Sequence, residues 1–384
     1  MRLWQQRPQR ARRTRAVDSG PRLPIGARSR PAPSAALVLG QGRRQRPDVQ
    51  HVPRPGLSAA LVLGLLALVG CGHARQPSPG AAQPSPTVQA AQPAPGGQSA
   101  ATTVAAKSGV PAFSHVFLIV MENLGYARAS RLPYVSALAA RYGEATRYDA
   151  VAHPSLPNYL ALTGGETRVT SDCTTCYVAA DNLAAQASAA GVTWGAYMEG
   201  LPGSCWLGAW WPPGRYAGKH DPFRYYADVR GSRSLCGDIR PLTALTGALG
   251  AGGAAASGSV PHLVWITPNL CHDMHDCSPG VGDAWLSGLV PSILASAAWR
   301  DGGVLFITWD EAEGADTTGC CGAAPGGGHV LTLVVAPGVA PGVQVAVPYD
   351  HYSLLATVED GLRLPLLGNA AGAAAMSQFW AGRT

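Results

Sequence analysis

The chain has 384 residues, of which 47% are hydrophobic and 14% charged, so it can form one large domain or two small ones with a sizeable core. Its formal net charge of +6 is unevenly spread: residues 1–50 carry 12 Arg against two Asp, whereas from residue 76 onward 21 acidic side chains outnumber 15 basic ones. A mildly acidic body argues against nucleic-acid binding, which needs a basic surface. Ten Trp and regular apolar runs exclude wholesale disorder.

The N-terminal region, residues 1–71, predicts export. Residues 57–69 form an apolar run that is too short for a comfortable transmembrane helix and is typical of a signal peptide. Cys71 follows in the segment Leu-Val-Gly-Cys, which resembles the lipobox of bacterial lipoproteins, whose cysteine is diacylated. We therefore expect a cell-envelope lipoprotein with its lipid anchor at Cys71, and secretion after an ordinary signal peptide is the alternative. Residues 1–51 are a poor start for such a signal, and Val52 is an alternative initiation site.

Residues 72–112 consist mainly of Pro, Ala, Gln, Ser and Gly, with almost no charged or aromatic side chains. Such a segment buries too little apolar surface to offset its ordering entropy. We predict a disordered linker that holds the following domain away from a membrane. The folded domain is then expected over residues 113–384.

Cysteine usage agrees with export, because an even number of cysteines in an exported domain favours disulfides. Apart from Cys71, eight cysteines are expected to form disulfides: Cys173, Cys176, Cys205, Cys236, Cys271, Cys277, Cys320 and Cys321. Zinc binding at Cys173-x-x-Cys176 is the alternative, although no second pair has matching spacing. The sequence favours local closure of Cys271 with Cys277 over any other single pairing.

Short apolar runs alternate with Ala-rich helical stretches from Phe113 onward. The predicted strands are residues 115–121, 192–198, 262–267, 304–309 and 330–336. The predicted helices are residues 134–142, 182–190, 282–298 and 352–362. This alternation, with nearly continuous apolar strands, indicates an α/β fold in which a mostly parallel central sheet is covered on both faces, a three-layer sandwich. Ligands of such sheets gather beyond the carboxyl ends of the strands.

Acidic side chains follow two of these strands. Glu122 and Asn123 come directly after the first strand, and Asp310 and Glu311 come directly after the fourth. A single acid here is usually a helix cap or a solvated loop residue, but burying several without a cation is costly. We therefore predict that these side chains hold one divalent cation, and oxygen ligands suit Mg, Mn, Ca or Zn.

Ser155 lies between two prolines in the segment VAHPSLPNYLALTGG, just ahead of an apolar helical stretch. A rigid turn before a helix N-terminus can present a hydroxyl group and receive an anion, so Ser155 is a candidate nucleophile. The alternative from the local sequence is that Ser155 caps a helix that begins near Pro157.

Six blocks in order resemble the bacterial phosphoesterase family, which contains acid phosphatases and phosphatidylcholine-type phospholipases C within the alkaline-phosphatase-like superfamily. The blocks are HVFLIVMEN, HPSLPNYLALTGG, KHDPFRYY, WITPNLCHDMHDC, FITWDE and DHYSLLATVEDGL, over about residues 114–369. Ser155-Leu156-Pro157-Asn158 is also similar to the motif of nucleotide pyrophosphatases and phosphodiesterases, with Ser in place of their nucleophilic Thr. The resemblance implies an alkaline-phosphatase-like fold and Ser155 as the nucleophile.

The resemblance also implies roles for further residues. The family's metal ligands match Glu122, Asn123, Ser155, Asp310 and Glu311. Histidines that line the phosphate pocket, and that are candidates for protonating the leaving group, match His275 and His329. Substrate-binding positions match Asn158, Lys219, His220, Asn269 and Asp273. His272 departs from the family pattern, and the acid-rich positions suit one ion rather than the two of alkaline phosphatases.

The leading hypothesis is an exported, metal-dependent phosphomonoesterase of acid phosphatase type that acts through a phosphoserine. Phosphoinositides or other small phosphate esters are the expected substrates, the membrane is the second partner, and no nucleic acid is expected. A phospholipase C is the first alternative, although its long relatives carry C-terminal domains that would not fit in this chain. A non-catalytic surface-binding lipoprotein is the second.

Three features outside these motifs are expected to be structural. Trp206, Trp210 and Trp211 predict a packed, disulfide-stapled loop, and a lipid-contacting rim is the alternative. Residues 247–259 predict a flexible insertion or a poor helix. His351 is a weaker site candidate, with a capping or supporting role.

Overall fold

The computed structural model describes residues 109–250 and 260–381. The predicted signal sequence, Cys71 and residues 72–108 of the predicted linker lie outside the described residues, as do residues 251–259 and 382–384. Val110, which the sequence assigns to the linker, is only 5% exposed and packs into the core, so the packed domain begins before Phe113. Within the two described ranges, every helix is too short or too polar to traverse a bilayer.

The strands of the described residues are short, with a maximum of six residues. In chain order they are β1 Val116–Met121, β2 Gly143–Ala145, β3 Tyr148–Asp149, β4 Trp194–Met198, β5 Trp210–Trp211, β6 Tyr216–Ala217, β7 Ile239–Pro241, β8 Leu263–Thr267, β9 Val304–Trp309, β10 Thr332–Val335, β11 Val343–Val345 and β12 Tyr349–Asp350.

The helices lie between these strands. In chain order they are α1 Tyr126–Ala129, α2 Pro133–Arg141, α3 Ser155–Gly164, α4 Leu183–Ala189, α5 Ala227–Gly231, α6 Arg233–Gly237, α7 Leu242–Leu249, α8 Pro279–Ala295, α9 Ala297–Arg300 and α10 His351–Leu362. Two 3₁₀ turns, Gly218–His220 and Pro222–Tyr225, follow β6.

Eight strands form one sheet in the order β11-β2-β10-β9-β1-β8-β4-β7. Within this sheet β10 alone runs antiparallel to its neighbours, β2 and β9, so the sheet is mostly parallel as predicted. Every residue of β1, β4, β8 and β9 is buried. Strands that are apolar along their whole length require cover on both faces, which is why the sequence showed continuous apolar runs rather than alternation.

Two groups of helices cover the sheet. In one group α2 packs against α8, and α7 contacts both α8 and the strands β4 and β7. In the other group α3 packs against α10 and the two 3₁₀ turns, while α4 contacts α5 and α6. The predicted α/β sandwich is therefore confirmed, with the hydrophobic core between the sheet and each helical layer.

All five predicted strands and all four predicted helices are present, and their ends agree to within three residues. The predicted helix over residues 282–298 is divided in two at Ser296. The Ser296 hydroxyl accepts a hydrogen bond from Trp299 N at 3.1 Å and thereby caps α9. A serine inside an apolar run therefore marked a new helix start, as helix N-caps commonly do.

The eight predicted disulfide cysteines are all bridged. The pairs are Cys173–Cys176, Cys205–Cys236, Cys271–Cys277 and Cys320–Cys321. The favoured pairing of Cys271 with Cys277 is confirmed. The alternative of a zinc site at Cys173-x-x-Cys176 is wrong, because the two sulfurs are bonded to each other.

The tryptophan-rich loop is partly packed and partly exposed. The Trp206 ring packs edge-on against the Trp211 ring with centroids 6.0 Å apart, and Cys205 beside it is bridged to Cys236. Trp210 and Trp211 remain 50% and 38% exposed. Disulfide stapling of this loop is therefore confirmed, while two indoles stay at the surface.

Candidate active site

Polar side chains meet at the carboxyl ends of three adjacent strands. The strands β9, β1 and β8 are neighbours in the sheet, and they lead into Asp310, Glu122 and the Asp273 segment respectively. Because parallel strands end at the same edge of a sheet, these carboxylates converge although they are far apart in sequence. All three side chains are fully buried. The Glu122 N–H donates to Asp273 O at 2.9 Å, which ties two of the strand ends together.

Glu122 lies at the centre of this cluster. Its Oε1 accepts a hydrogen bond from the Tyr159 hydroxyl at 3.0 Å and lies 2.8 Å from His220 Nε2. Its Oε2 accepts from the Ser155 hydroxyl at 3.2 Å and from the Asn123 amide at 2.9 Å. Since both oxygens have partners, the carboxylate has a defined orientation.

His220 and Glu122 stabilise each other's ionised forms. Burial lowers the pKa of His220, but the negative charges of Glu122 and Asp273 outweigh burial and raise it to about 9. Burial raises the pKa of Glu122, but the positive charges of His220 and Lys219 outweigh burial and lower it to about 2. At neutral pH the buried pair is therefore an imidazolium and a carboxylate.

Ser155 is the first residue of α3, and its hydroxyl points to carboxylates rather than to the helix. The Ser155 Oγ donates to Glu122 Oε2 at 3.2 Å and to Glu311 Oε1 at 3.1 Å, sharing one proton between two acceptors. Pro154 occupies the N-cap position and makes no side-chain capping hydrogen bond. The alternative that Ser155 is merely a helix cap is therefore wrong.

Asp310 and Glu311 add two more acids to the cluster. Burial raises the pKa of Asp310 well above its usual range, and the negative charges of Glu122 and Glu311 raise it further. Burial and the charge of Glu122 likewise raise the pKa of Glu311, although His153 and Ser155 act in the opposite direction. Asp310 Oδ1 accepts from the Asn123 N–H at 3.1 Å, whereas its Oδ2 is buried without a hydrogen-bond partner.

Asn123 links the two acidic strand ends. Its backbone N–H donates to Asp310 and its side-chain amide donates to Glu122. Its backbone has a φ of 49°, in the left-handed region that asparagine tolerates better than most residues. This conformation turns the chain sharply after β1, so that backbone and side chain both face the cluster.

The donor set fits a divalent cation. Three carboxylates, an amide and a hydroxyl supply only oxygen ligands, the preference of hard cations. The unpartnered Asp310 Oδ2 and the upward pKa shifts of Asp310 and Glu311 indicate a deficit of positive charge. The three carboxylates do not each bring an oxygen to within 4.8 Å of the other two. Among the described residues Cys320, Cys321 and Asp350 do reach this spacing, but the two cysteine sulfurs are bonded to each other.

Lys219 brings a second positive charge to the same edge. Its ammonium group donates to Asp172 Oδ2 at 2.8 Å, and its side chain is 26% exposed. Burial lowers the pKa of Lys219, but Glu122 and Asp172 outweigh burial and raise it. Asp172 Oδ1 also accepts from the Leu156 N–H at 2.9 Å, so Asp172 connects the lysine to the start of the helix that carries Ser155.

Asn158 does not face a substrate, contrary to the sequence-based expectation. Its Oδ1 accepts from the N–H groups of Val151 and Ala152 at 3.1 and 3.0 Å. Its Nδ2 donates to the carbonyls of Ala152 and Pro154 at 2.7 and 3.3 Å. The amide thus has all four of its hydrogen bonds within the preceding loop. Its role is to hold the loop that presents Ser155.

Asn269 and Asp273 organise the loop after β8. Asn269 Oδ1 accepts from the N–H groups of Cys271 and His272 at 3.0 and 3.1 Å. Asp273 Oδ1 accepts from the His275 N–H at 2.8 Å, and its Oδ2 lies 3.3 Å from His220 Nδ1. Asp273 therefore contacts the ring nitrogen of His220 that does not face Glu122. The atoms of Asn269 and Asp273 named here are engaged within the protein and are not free to bind a substrate.

The two histidines predicted for acid–base work lie in different surroundings. The exposed His275 ring lies 5.9 Å from the His220 ring, next to the cluster, with its Nδ1 2.8 Å from Asp276 Oδ1. The His329 ring instead contacts the Thr146 carbonyl through Nε2 at 3.0 Å and stacks on Tyr126. His275 is thus brought to the site, whereas the His329 ring is engaged elsewhere.

Two histidines of uncertain role are explained by their partners. His272 Nδ1 lies 2.8 Å from Glu199 Oε2, and its ring stacks on Trp285, so it joins β4 to α8. His351 Nε2 donates to the Asp310 carbonyl at 2.7 Å and its Nδ1 accepts from the Tyr148 hydroxyl at 3.0 Å. Burial lowers the pKa of His351 to about 4, which leaves this ring neutral.

Sequence reasoning missed three residues of the site. Tyr159 is four residues after Ser155 on α3, a spacing that places both on one helix face and was visible in the sequence. His153 contacts Glu311 and immediately precedes Pro154. Asp172 has no sequence signal, since it lies 17 residues beyond Ser155, directly before the disulfide-bonded Cys173, and is brought to the site by the fold.

A model of the phosphoesterase family matches residues 98–365, which is more than half of the chain. The chain belongs to this family. Membership of this family indicates that the chain hydrolyses phosphoric esters. The resemblance of the six sequence blocks to this family is therefore confirmed.

Two curated relatives illustrate the range of the family. A phosphatidylinositol-3-phosphatase of Mycobacterium tuberculosis is 31% identical over 282 residues, which are 72% of this chain and 85% of that protein. An acid phosphatase of Aspergillus fumigatus is 26% identical over 314 residues, or 80% of this chain and 66% of that protein. This chain therefore spans slightly less than two thirds of the fungal relative.

Among solved structures, a protein of the alkaline phosphatase superfamily from Vibrio parahaemolyticus is similar in fold. The two share 11% sequence identity with a TM-score of 0.43, over 65% of this chain and 66% of the other.

Proposed function

We propose that this phosphoesterase is an exported, metal-dependent phosphomonoesterase of acid phosphatase type, with Ser155 as the nucleophile that forms a phosphoserine. The observation that carries the proposal is the position of the Ser155 hydroxyl between Glu122 and Glu311 at the start of a buried helix. A hydroxyl with two carboxylate acceptors has a defined direction and a route for its proton, as a nucleophile requires.

Five residues would hold the cation: Glu122, Asn123, Ser155, Asp310 and Glu311. When bound, a divalent ion held by these residues would neutralise part of the charge of the phosphate dianion and would lower the pKa of the serine hydroxyl. The fit rests on the oxygen-only donor set and on the unpartnered Asp310 Oδ2.

Ser155 attacks phosphorus in line with the ester oxygen, forming a Ser–O–P bond as the bond to the leaving group breaks. The hydroxyl proton passes to one of its two carboxylate acceptors, Glu122 or Glu311. The leaving alkoxide needs a proton, for which we propose His275, because its ring is exposed beside His220. Water then attacks the phosphoserine in the reverse geometry, releasing inorganic phosphate and restoring the hydroxyl.

Lys219 and His220 supply the fixed positive charge at the site. His220 is buried and paired with Glu122, so we assign it to neutralising that carboxylate. Lys219 is partly exposed and its ammonium group lies near the helix that carries Ser155. We therefore propose Lys219 as the residue that contacts substrate phosphate.

The decisive experiment replaces Ser155 with alanine and measures hydrolysis of p-nitrophenyl phosphate. We expect a loss of about 10³-fold or more with an unchanged circular dichroism spectrum, because loss of a nucleophile removes the covalent step. Ser287→Ala is the matched control, since that serine is exposed on α8. Comparable turnover in Ser155→Ala and the control would exclude the phosphoserine.

Substrate class separates the phosphomonoesterase from a phospholipase C. Because the mycobacterial relative is a phosphatidylinositol-3-phosphatase, we propose phosphoinositides among the substrates. The test compares phosphate release from phosphatidylinositol 3-phosphate and p-nitrophenyl phosphate with phosphocholine release from phosphatidylcholine. A preference for the diester would replace the proposal with the phospholipase alternative.

Export and lipid anchoring at Cys71 remain proposals from the sequence. Intact-mass spectrometry of the mature protein from a bacterial host should show a diacylated N-terminal Cys71. An unmodified mature N-terminus in the culture medium would instead indicate secretion.

A further inference from the structure

His153 is held between a site carboxylate and a backbone carbonyl. Its Nδ1 contacts Glu311 Oε2, and its Nε2 donates to the Asp316 carbonyl at 2.8 Å. The side chain is 23% exposed, so most of the ring is covered. Two polar contacts on opposite edges of a planar ring leave it little rotational freedom.

Glu311 divides its two oxygens between Ser155 and His153. Its Oε1 accepts from the Ser155 hydroxyl at 3.1 Å, while its Oε2 faces His153. The contact with His153 therefore determines how the carboxylate is rotated about its last side-chain bond. It leaves Oε1 directed towards the nucleophile.

The far end of the ring rests on an anchored loop. Asp316 Oδ2 accepts from the His329 N–H at 3.1 Å, and its Oδ1 accepts from the Thr318 N–H at 3.0 Å. These hydrogen bonds hold the Asp316 carbonyl in place. The His153 ring spans the distance from that carbonyl to the Glu311 carboxylate and so restricts where the carboxylate lies. His329, which was predicted to act in the site directly, contributes here through its backbone.

We propose that His153 is a positioning residue that orients the Glu311 carboxylate for Ser155 and for the cation. The inference rests on the proposed function, because it takes Ser155 as nucleophile and Glu311 as a ligand. The competing explanation is that the ring only fills space between two loops. A positioning role requires the contact of Nδ1 with Glu311 in particular, whereas space filling depends on the volume of the ring and on neither polar contact in particular.

Two substitutions separate the two edges. In His153→Asn the amide nitrogen replaces Nδ1 and can still donate to Glu311, whereas the contact with Asp316 is lost. In His153→Gln the amide nitrogen reaches the position of Nε2, which keeps the contact with Asp316 and removes the one with Glu311. His153→Ala removes both contacts, and His262→Asn, at an exposed histidine beside Thr193, is the control.

The readouts are the affinity for Mn²⁺ by calorimetry, kcat and KM for p-nitrophenyl phosphate, and the melting temperature. We expect His153→Gln and His153→Ala to weaken Mn²⁺ binding and lower kcat by about 10- to 100-fold, as loss of a ligand's hydrogen-bond partner does. His153→Asn should stay within about threefold of wild type. Melting temperatures should not follow this order.

The positioning role is overturned if His153→Asn is as impaired as His153→Ala, or if His153→Gln matches wild type in both affinity and kcat. Space filling would instead lower the melting temperature of both amide variants without separating them in kcat. If wild type binds no Mn²⁺ and is indifferent to chelators, the cation of the proposed function fails. The difference in kcat between the Asn and Gln variants then still decides whether His153 orients Glu311 for Ser155.

Discussion

His220 and Glu122 form an ion pair that is sealed from solvent. Their side chains are 2% and 0% exposed, and His220 Nε2 lies 2.8 Å from Glu122 Oε1. The Tyr159 hydroxyl donates to the same oxygen, and its ring stacks on His220 with centroids 5.4 Å apart. Burying two charges carries a large desolvation cost, which pairing and hydrogen bonds offset. The pairing keeps the Glu122 carboxylate ionised beside the Ser155 hydroxyl.

Removing the histidine charge is expected to destabilise the fold. His220→Gln leaves the Glu122 carboxylate buried without its counter-charge, which costs about 3–5 kcal/mol in comparable pairs. Urea denaturation in the presence of a chelator measures the change in free energy of unfolding. The double variant Glu122→Gln/His220→Gln should recover part of the loss, because the Glu122 charge is removed together with its partner, although the buried Asp273 still loses its contact with His220. A single variant as stable as the His262→Asn control would contradict the pairing.

The Asp310 carboxylate is expected to couple cation binding to stability. A cation at 100 times its Kd stabilises the folded state by about 2.7 kcal/mol, which should raise the melting temperature by several degrees. Asp310→Asn should lose most of this increase, because the variant lacks the unpartnered carboxylate oxygen that would bind the cation. Differential scanning fluorimetry with and without Mn²⁺ measures it, with Asp301→Asn, at an exposed position, as the control. Equal cation-induced shifts in the two variants would remove Asp310 from the ligand set.

Lys219 is expected to act on substrate affinity. A hydrogen bond to a charged group contributes about 1.5–3 kcal/mol, so Lys219→Gln should lower kcat/KM for a phosphate ester by about 10- to 100-fold. Most of the change should be in KM, because the ammonium group binds the anion before and during reaction. Arg233→Gln, an exposed cation on α6, is the control for net charge. Steady-state kinetics that show a change in kcat alone would argue against phosphate contact.

Asp172 should show its effect through Lys219. Its carboxylate accepts from Lys219 Nζ at 2.8 Å and from the Leu156 N–H at 2.9 Å. Asp172→Asn keeps an oxygen for the amide but removes the negative charge that holds the lysine. We expect KM to rise less than in Lys219→Gln, and the double variant to be no worse than Lys219→Gln alone. Additive losses in a double-mutant cycle would show that the two side chains act independently.

Glu359 on α10 is expected to make stability depend on pH. Burial raises its pKa from 4.5 to about 8, although the Leu367 N–H donates to it at 3.1 Å. Between these values the folded state keeps a proton that the unfolded state releases, so stability falls as pH rises through that window. One proton limits the slope to about 1.4 kcal/mol per pH unit.

Glu359→Gln should remove that part of the slope and be more stable than wild type at pH 8, because a neutral amide is no longer desolvated as a charge. Unfolding by urea at pH 5 and at pH 8 measures both effects, with Glu166→Gln, 42% exposed, as the control. A wild-type slope unaltered by Glu359→Gln would show that the carboxyl is not responsible.

Much of the site was predictable because it lies at strand ends. Glu122, Asn123, Asp310 and Glu311 follow apolar runs, and parallel strands bring such positions together by topology alone. Ser155 was recognisable from its proline-bounded segment and from the family resemblance. Asn158 was assigned to the substrate by position, but the local loop uses all of its hydrogen-bonding capacity.

The amino-acid sequence by itself determined five of the eight strands of the central sheet, the sheet class, the family and the acidic pairs, since these depend on periodicity and on short motifs. Only the tertiary structure decided which side chains face one another. It paired His220 with Glu122, engaged the His329 ring with the Thr146 carbonyl, and brought His153 and Asp172 to the site. The physical reason is that side-chain partners depend on loop paths and strand order. These bring together residues such as His153 and Glu311, which are 158 positions apart, and they leave no local pattern in the chain.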